Sequence, residues 1–166
     1  MINKTVLMSD ARNFSAEQAI NPYYFDSHTD TNVAQKEHDS IREALTSAGV
    51  EVITTKSPKD SQDGVYTANW ALVRGDKAVI ASLPNVRKTE EDYAKKVLEK
   101  LGKKVVSIPK GLKFSGQGDA LACGNYLFCG SGYRSDTEAQ KFAANELGYD
   151  RVQLRTIPQV DKDGVP

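Results

Sequence analysis

A unit of strand, strand, helix and strand occurs twice in this chain, and that repetition constrains the fold more than any single motif. Laying Gly75 on Gly124 superposes Val79 on Phe128, and the helix-stopping glycines Gly102 and Gly148 also correspond after a three-residue deletion. In the first copy, Val65 to Arg74 and Lys77 to Ser82 read as strands around the turn Arg74-Gly75-Asp76. Thr89 then opens a helix with the apolar stripe Tyr93, Ala94, Val97, Leu98 and Leu101, Gly102 stops it, and Val105 to Ile108 form a further strand. In the second copy the hairpin runs from Asp119 to Gly130, the helix from Asp136 to Leu147, and the last strand from Arg151 to Ile157. The chain up to Thr55 offers a reduced version: a strand at Lys4 to Met8, a helix carrying Val33, Ala34, Glu37, Ile41, Ala44, Leu45 and Ala48 with Gly49 as its stop, and a β-branched strand at Val50 to Thr55. The expected fold class is therefore α/β, an array or closed ring of such units rather than a doubly wound sheet. The units fall at approximately 1–58, 63–110 and 114–160 of one domain. Gln159 to Pro166 is polar and turn-rich where a fourth hairpin is expected, so the array reads as incomplete.

A chain of 166 residues buries roughly 70% of its unfolded surface, so a core needs neither disulfides nor metal. The 22 basic and 22 acidic side chains cancel without blocks of like charge, which removes the electrostatic footprint of a nucleic-acid or anionic-membrane partner. The N-terminus has no secretory-leader pattern, and no apolar run approaches the ~18 residues of a membrane span. With both cysteines inside predicted strands, the expectation is a soluble cytoplasmic protein in a reducing compartment.

The stretch Phe114 to Asp136 concentrates the polar chemistry. Its first corner, SGQGD, places Asp119 directly after glycines; Ala120 to Cys123 and Tyr126 to Cys129 form a hairpin around Gly124-Asn125; the second corner, GSGYRSD, carries Arg134. Entry and exit of a hairpin are neighbours, so Asp119 and Arg134 are expected at one sheet edge. Ser135 with Glu138 has the spacing of a capping box. Asp63 precedes the earlier hairpin as Asp119 precedes the later, and Arg87 follows it as Arg134 does. Carboxylates opposite guanidinium groups suit a small zwitterion; as loop charges or helix caps the same four residues need no ligand. Asn69 within YTANWALV is either a hydrogen-bonding group for a planar polar ligand or a bulge residue, and Trp70 reads as core. Cys123 and Cys129 read as small buried hydrophobes. His38 reads as structural or exposed, and His28 in HTDTN matches no metal motif. No Walker or GxGxxG pattern occurs, and no cofactor is expected.

The segments NFSAEQAINPYY, DGVYTANWALV, FSGQGDAL and CGSGYRSD, with QLRTIP near the end, together resemble guanidino-group-modifying enzymes of the dimethylarginine dimethylaminohydrolase-like and amidinotransferase-like kind. The resemblance covers nearly the whole chain in order. It implies the pentein fold, a ring of five modules, of which this chain holds about three. It implies a cysteine thiolate that attacks the guanidinium carbon, a histidine as general acid and base, and a covalent thiouronium hydrolysed by water or passed on to an amine, without metal. It places Asp63 among the substrate-holding acids and Arg134 at the substrate carboxylate. Asn69 stands where close relatives have an acid, in a recognised TAN variant, and Gln117 stands near an acid that orients the histidine, which Ser115 does not restore. A carboxylate-to-Gln change there removes a charge-assisted hydrogen bond of roughly 1.5 to 3 kcal/mol. Arg87 and Asp119 complete the expected binding set, and the reactive histidine and cysteine are expected beyond Pro166. The expected partner is a small guanidino compound, with self-association or association with missing modules. A non-catalytic pentein used as a binding module is the alternative.

Overall fold

The computed structural model describes residues 4–18, 24 and 29–156. His28, Ile157 and the Gln159 to Pro166 stretch lie outside the described residues. The elements run β1 (Thr5–Ser9), α1 (Thr31–Ser47), β2 (Glu51–Thr55), β3 (Ala71–Arg74), β4 (Lys77–Ile80), α2 (Thr89–Lys100), β5 (Lys104–Ser107), β6 (Ala120–Cys123), β7 (Tyr126–Ser131), α3 (Thr137–Leu147) and β8 (Asp150–Arg155). They form three separate small sheets. β1 pairs parallel with β2; β3 pairs antiparallel with β4, which pairs parallel with β5; and β6, β7 and β8 repeat that order. The aligned turn glycines Gly75 and Gly124 have φ of +60° and +61°, a left-handed conformation that glycine adopts without a Cβ penalty.

Strand alternation decides how the units stack. In the middle sheet, Ala71, Ala78 and Ile80 share a core with Ala94 and Leu98 of α2. Leu72 and Val79, on the opposite face, share a core with Ala139, Ala143, Ala144 and Leu147 of α3. α3 also covers Ala120, Leu127 and Cys129 of the last sheet, so it lies between two sheets. Its run of alanines keeps it thin enough to do so. The hairpin end of β3–β4 grips the C-terminus of α3. Arg74 donates to the carbonyls of Leu147 and Gly148 and to Asn125 Oδ1 (2.9 Å), stacks on Tyr149 at 4.2 Å, and Lys77 Nζ reaches the Glu146 carbonyl at 3.0 Å. Cations here satisfy the orphan carbonyls and the negative end of the helix dipole.

The first and last units are bare where the middle one is covered. No described residue of α1 is buried. Ile41, which stands where α3 has the fully buried Gln140, is 56% exposed. Leu121 and Phe128 stand where the middle sheet has Leu72 and Val79, and are 64% and 38% exposed.

Four local expectations are corrected. The expected strand from Val65 is instead a 3-10 turn at Thr67–Asn69, followed by the short β3. The turn is pinned by the Thr67 hydroxyl on the Leu7 carbonyl (2.9 Å) and by the Asn69 side chain. β4 ends at Ile80, and Ser82 pairs only with Phe114. Asp136, not Ser135, is the residue before α3, and its carboxylate accepts from the Lys113 N–H rather than capping the helix. Cys123 is exposed, because it stands at the Arg74 position on a sheet that no following helix covers among the described residues.

Candidate active site

Two 3-10 turns, Thr67–Asn69 and Gly116–Gly118, press together and form the floor of the site. A Cβ on Gly116 would lie 2.8 Å from the Ala68 carbonyl oxygen, and one on Gly118 would lie 2.2 Å from Asn69 Nδ2. The glycines of SGQGD are therefore required by the adjacent unit as well as by their own corner. The same absent Cβ of Gly118 would lie 3.5 Å from Arg134 Nη2, so Asn69 and Arg134 converge at this glycine.

Asn69 is buried and held at both ends. Its Nδ2 donates to the Ser115 carbonyl at 3.2 Å, and its Oδ1 accepts from Arg87 Nη1 at 3.2 Å. Arg87 is buried too. Its Nε and Nη2 form a fork on the Glu90 carboxylate, each at 2.7 Å, and Nη2 also donates to the Asp63 carbonyl at 3.1 Å. Glu90, fully buried in the first turn of α2, further accepts from Trp70 Nε1 (3.1 Å) and from the Ser61 hydroxyl. Arg87 thus sits in the framework beneath the site. Trp70 is core, as its sequence context suggests.

Asp63 is buried, with Oδ1 accepting from the Tyr24 hydroxyl at 3.0 Å. Tyr24 and Tyr66 hydroxyls are 3.3 Å apart, and Phe14 meets both rings edge-on. Burial raises the Asp63 carboxyl above the usual carboxylate range, against the opposing pull of the Arg87 charge and the Tyr24 hydrogen bond. Burial likewise raises the Tyr24 phenol, helped by Tyr66 and Asp63.

The other side of the floor is built by the last unit. Arg134 Nη2 donates to Asp119 Oδ1 and to the Gly118 carbonyl (3.3 Å), while the Ser135 hydroxyl donates to Asp119 Oδ2 at 2.7 Å and accepts from the Ser115 N–H at 3.0 Å. Ser135 therefore braces the acid and the corner together. The Arg134 side chain is 52% exposed, so its remaining donors stay accessible to an anionic group. Gln117 lines a different space, a mixed polar and apolar cavity of about 510 Å³, with Leu7, Thr67, Ala71, Leu98 and Lys103; neither Asp63 nor Arg134 lines it.

Among the described residues no group of three or more His, Cys, Asp or Glu side chains is placed to hold a metal. Burial pushes the Cys129 thiol up to about 11, opposed by Arg151, which is the wrong direction for a nucleophile. Residues missed from sequence were Glu90, Ser61, Tyr24 and Ser135 in its bracing role. Glu90 carried the one readable signal, its place three residues after Arg87 across a helix start.

This architecture of repeated small sheets with polar groups at the strand ends is a pentein. It superposes on the N-terminal domain of ArgZ, an arginine dihydrolase from the ornithine-ammonia cycle in cyanobacteria solved with bound product, with TM-score 0.89, 28% identity and coverage of 95% of this chain and 59% of that domain. The same domain has been solved covalently bound to a reaction intermediate (TM-score 0.88, 28% identity, 93% of this chain and 58% of that one). The family profile for N,N dimethylarginine dimethylhydrolase, eukaryotic, matches residues 12–164, and the chain belongs to that family. It is 32% identical over 163 residues to the bifunctional arginine dihydrolase/ornithine cyclodeaminase ArgZ of Synechocystis, covering 93% of this chain and 22% of ArgZ. It is 28% identical over 146 residues to the N(G),N(G)-dimethylarginine dimethylaminohydrolase of Mycobacterium tuberculosis, covering 87% of this chain and 48% of that enzyme. The chain thus spans less than half the length of these curated relatives. No described helix is long and apolar enough to cross a membrane.

Proposed function

We propose that these residues are the substrate-binding part of an enzyme that hydrolyses, or transfers, the guanidino group of an arginine-like substrate through a covalent cysteine thiouronium. The observation that carries this reading is the convergence of Asn69 and Arg134 at Gly118, with Asp63 held in the same hydrogen-bonded framework. Arg134 would hold the substrate carboxylate, and Asp63 would face the cationic end from beneath its Tyr24 cover. Asp119 orients Arg134 by accepting from its Nη2. Arg87 supports Asn69, and Gln117 is the least engaged member of the expected set.

The histidine and nucleophilic cysteine are expected in a segment following Pro166. The bare faces support further units: among the described residues no helix covers Leu121 and Phe128 as their equivalents are covered, and no sheet covers α1 as α3 is covered. The 166 residues alone are then a binding platform of about three units, with neither Cys123 nor Cys129 at the position of the family's nucleophile. The test is to extend the chain with its natural downstream residues and assay L-arginine and methylated arginines for released ammonia or amine. A product with an intact downstream histidine and cysteine, lost on Arg134→Ala, is the expected result. An extended protein with both residues and no product over that panel would overturn the proposal.

A further inference from the structure

We infer that Glu90 is a positioning residue that fixes the amide of Asn69 through Arg87, an inference that rests on the reading of Asn69 as part of the binding floor. Glu90 touches no part of the opening: it is fully buried in the first turn of α2. Its two oxygens engage one edge of the Arg87 guanidinium, Nε and Nη2, and that fork fixes the plane of the group. The donors that remain are thereby aimed at two elements of the site, Nη1 at Asn69 Oδ1 and Nη2 at the Asp63 carbonyl. One carboxylate therefore ties the start of α2, the Asp63 corner and the Asn69 turn to a single rigid group.

The amide orientation follows without ambiguity. Arg87 can only donate, so it must face Oδ1; the Ser115 carbonyl can only accept, so it must face Nδ2. The second Nδ2 hydrogen is then the only donor that residue 69 can offer. Trp70 Nε1 and Ser61 satisfy the remaining acceptor capacity of Glu90, so every lone pair committed to the framework is used. A buried pair of this kind contributes little net stability compared with apolar residues of the same shape, while removing one partner leaves a buried charge uncompensated. Its use here is to set geometry.

The experiment reads the Asn69 Nδ2, Arg87 Nε and Trp70 Nε1 signals by ¹H–¹⁵N NMR on the chain and titrates L-arginine into the same samples. A resolved, slowly exchanging Arg87 Nε–H is expected in the unmodified chain, and its absence at neutral pH overturns the inference. Glu90→Gln is expected to shift both Asn69 Nδ2 signals and raise their exchange at least tenfold. If that variant does not fold, Arg87→Met/Glu90→Leu, which leaves no lone charge, is expected to fold and to displace Asn69 in the same way. Unmoved Asn69 signals in either folded variant overturn the inference. Arginine affinity is expected to fall about tenfold in the folded variant; an unchanged affinity also overturns it. If the unmodified chain binds no arginine, the proposed function is what fails, and the Asn69 signals still decide the role of Glu90.

Discussion

At the scale of single residues, surroundings decide identity. Residue 69 is an amide because one neighbour only donates and the other only accepts, and a carboxylate there would turn a lone pair toward the Ser115 carbonyl. The two cysteines, alike in sequence, diverge for a similar reason: Cys129 faces α3 and is fully buried, whereas Cys123 is exposed. At pH 7 a disulfide-exchange reagent is expected to label one thiol per native chain and two after denaturation. Because burial raises the Cys129 thiol from 9.0 to about 11, the folded state holds its proton more tightly than the unfolded state. Its contribution is thus fully present below pH 9 and is lost as pH rises through 11. Urea midpoints should fall across that window, and Cys129→Ala should remove that part of the fall; two reactive native thiols would contradict the assigned burial. Sequence spacing pointed to Asp63, Asn69 and Arg134 but could not reveal that Arg87 is buried. An Arg and a Glu three apart at a helix start read equally well as an exposed ion pair, and only the Trp70 and Ser61 contacts distinguish the two.

At the scale of elements, glycines made the repeat legible, since turn and stop positions with positive φ tolerate little else. The hairpins, the three helices and their order were readable for that reason. The Thr67–Asn69 turn was not, because Thr-Ala-Asn between apolar residues has a strand's composition and is bent only by contacts to β1 and to Ser115. Nor could periodicity tell which helical stripe is covered. α1 has an apolar stripe by spacing yet buries none of it, while α3 buries five residues between two sheets. The two helices should therefore respond differently to truncation. Leu147→Ala is expected to cost about 2–4 kcal/mol through lost contact and a residual cavity, whereas Ile41→Ala should fall within roughly 0.5 kcal/mol. Chemical denaturation of the two variants checks this, and equal losses would mean that α1 is covered in solution by something the chain supplies.

At the scale of the whole molecule, the pattern of exposure follows the repeat. Each sheet of strand, strand, strand has one face for its own helix and one for the helix of the next unit, as Leu72 and Val79 show beneath α3. The last sheet presents Leu121 and Phe128 on that second face with no helix over them among the described residues, and Cys123 occupies the position from which Arg74 grips α3. Such a contiguous apolar face is a place for association. If the proposed further units follow Pro166, their first helix should bury this face as α3 buries the middle one. The 166-residue chain is then expected to bind a hydrophobic dye and to self-associate as concentration rises, and a chain extended by its downstream residues to do neither. Phe128→Asp separates this from a general gain in solubility. It should cost the short chain less, since the side chain is partly open to solvent there, and should destabilise the extended chain by about 2–4 kcal/mol more through a buried, unpaired carboxylate. An extended chain that tolerates Phe128→Asp as well as the short one does would show that no unit docks on this sheet.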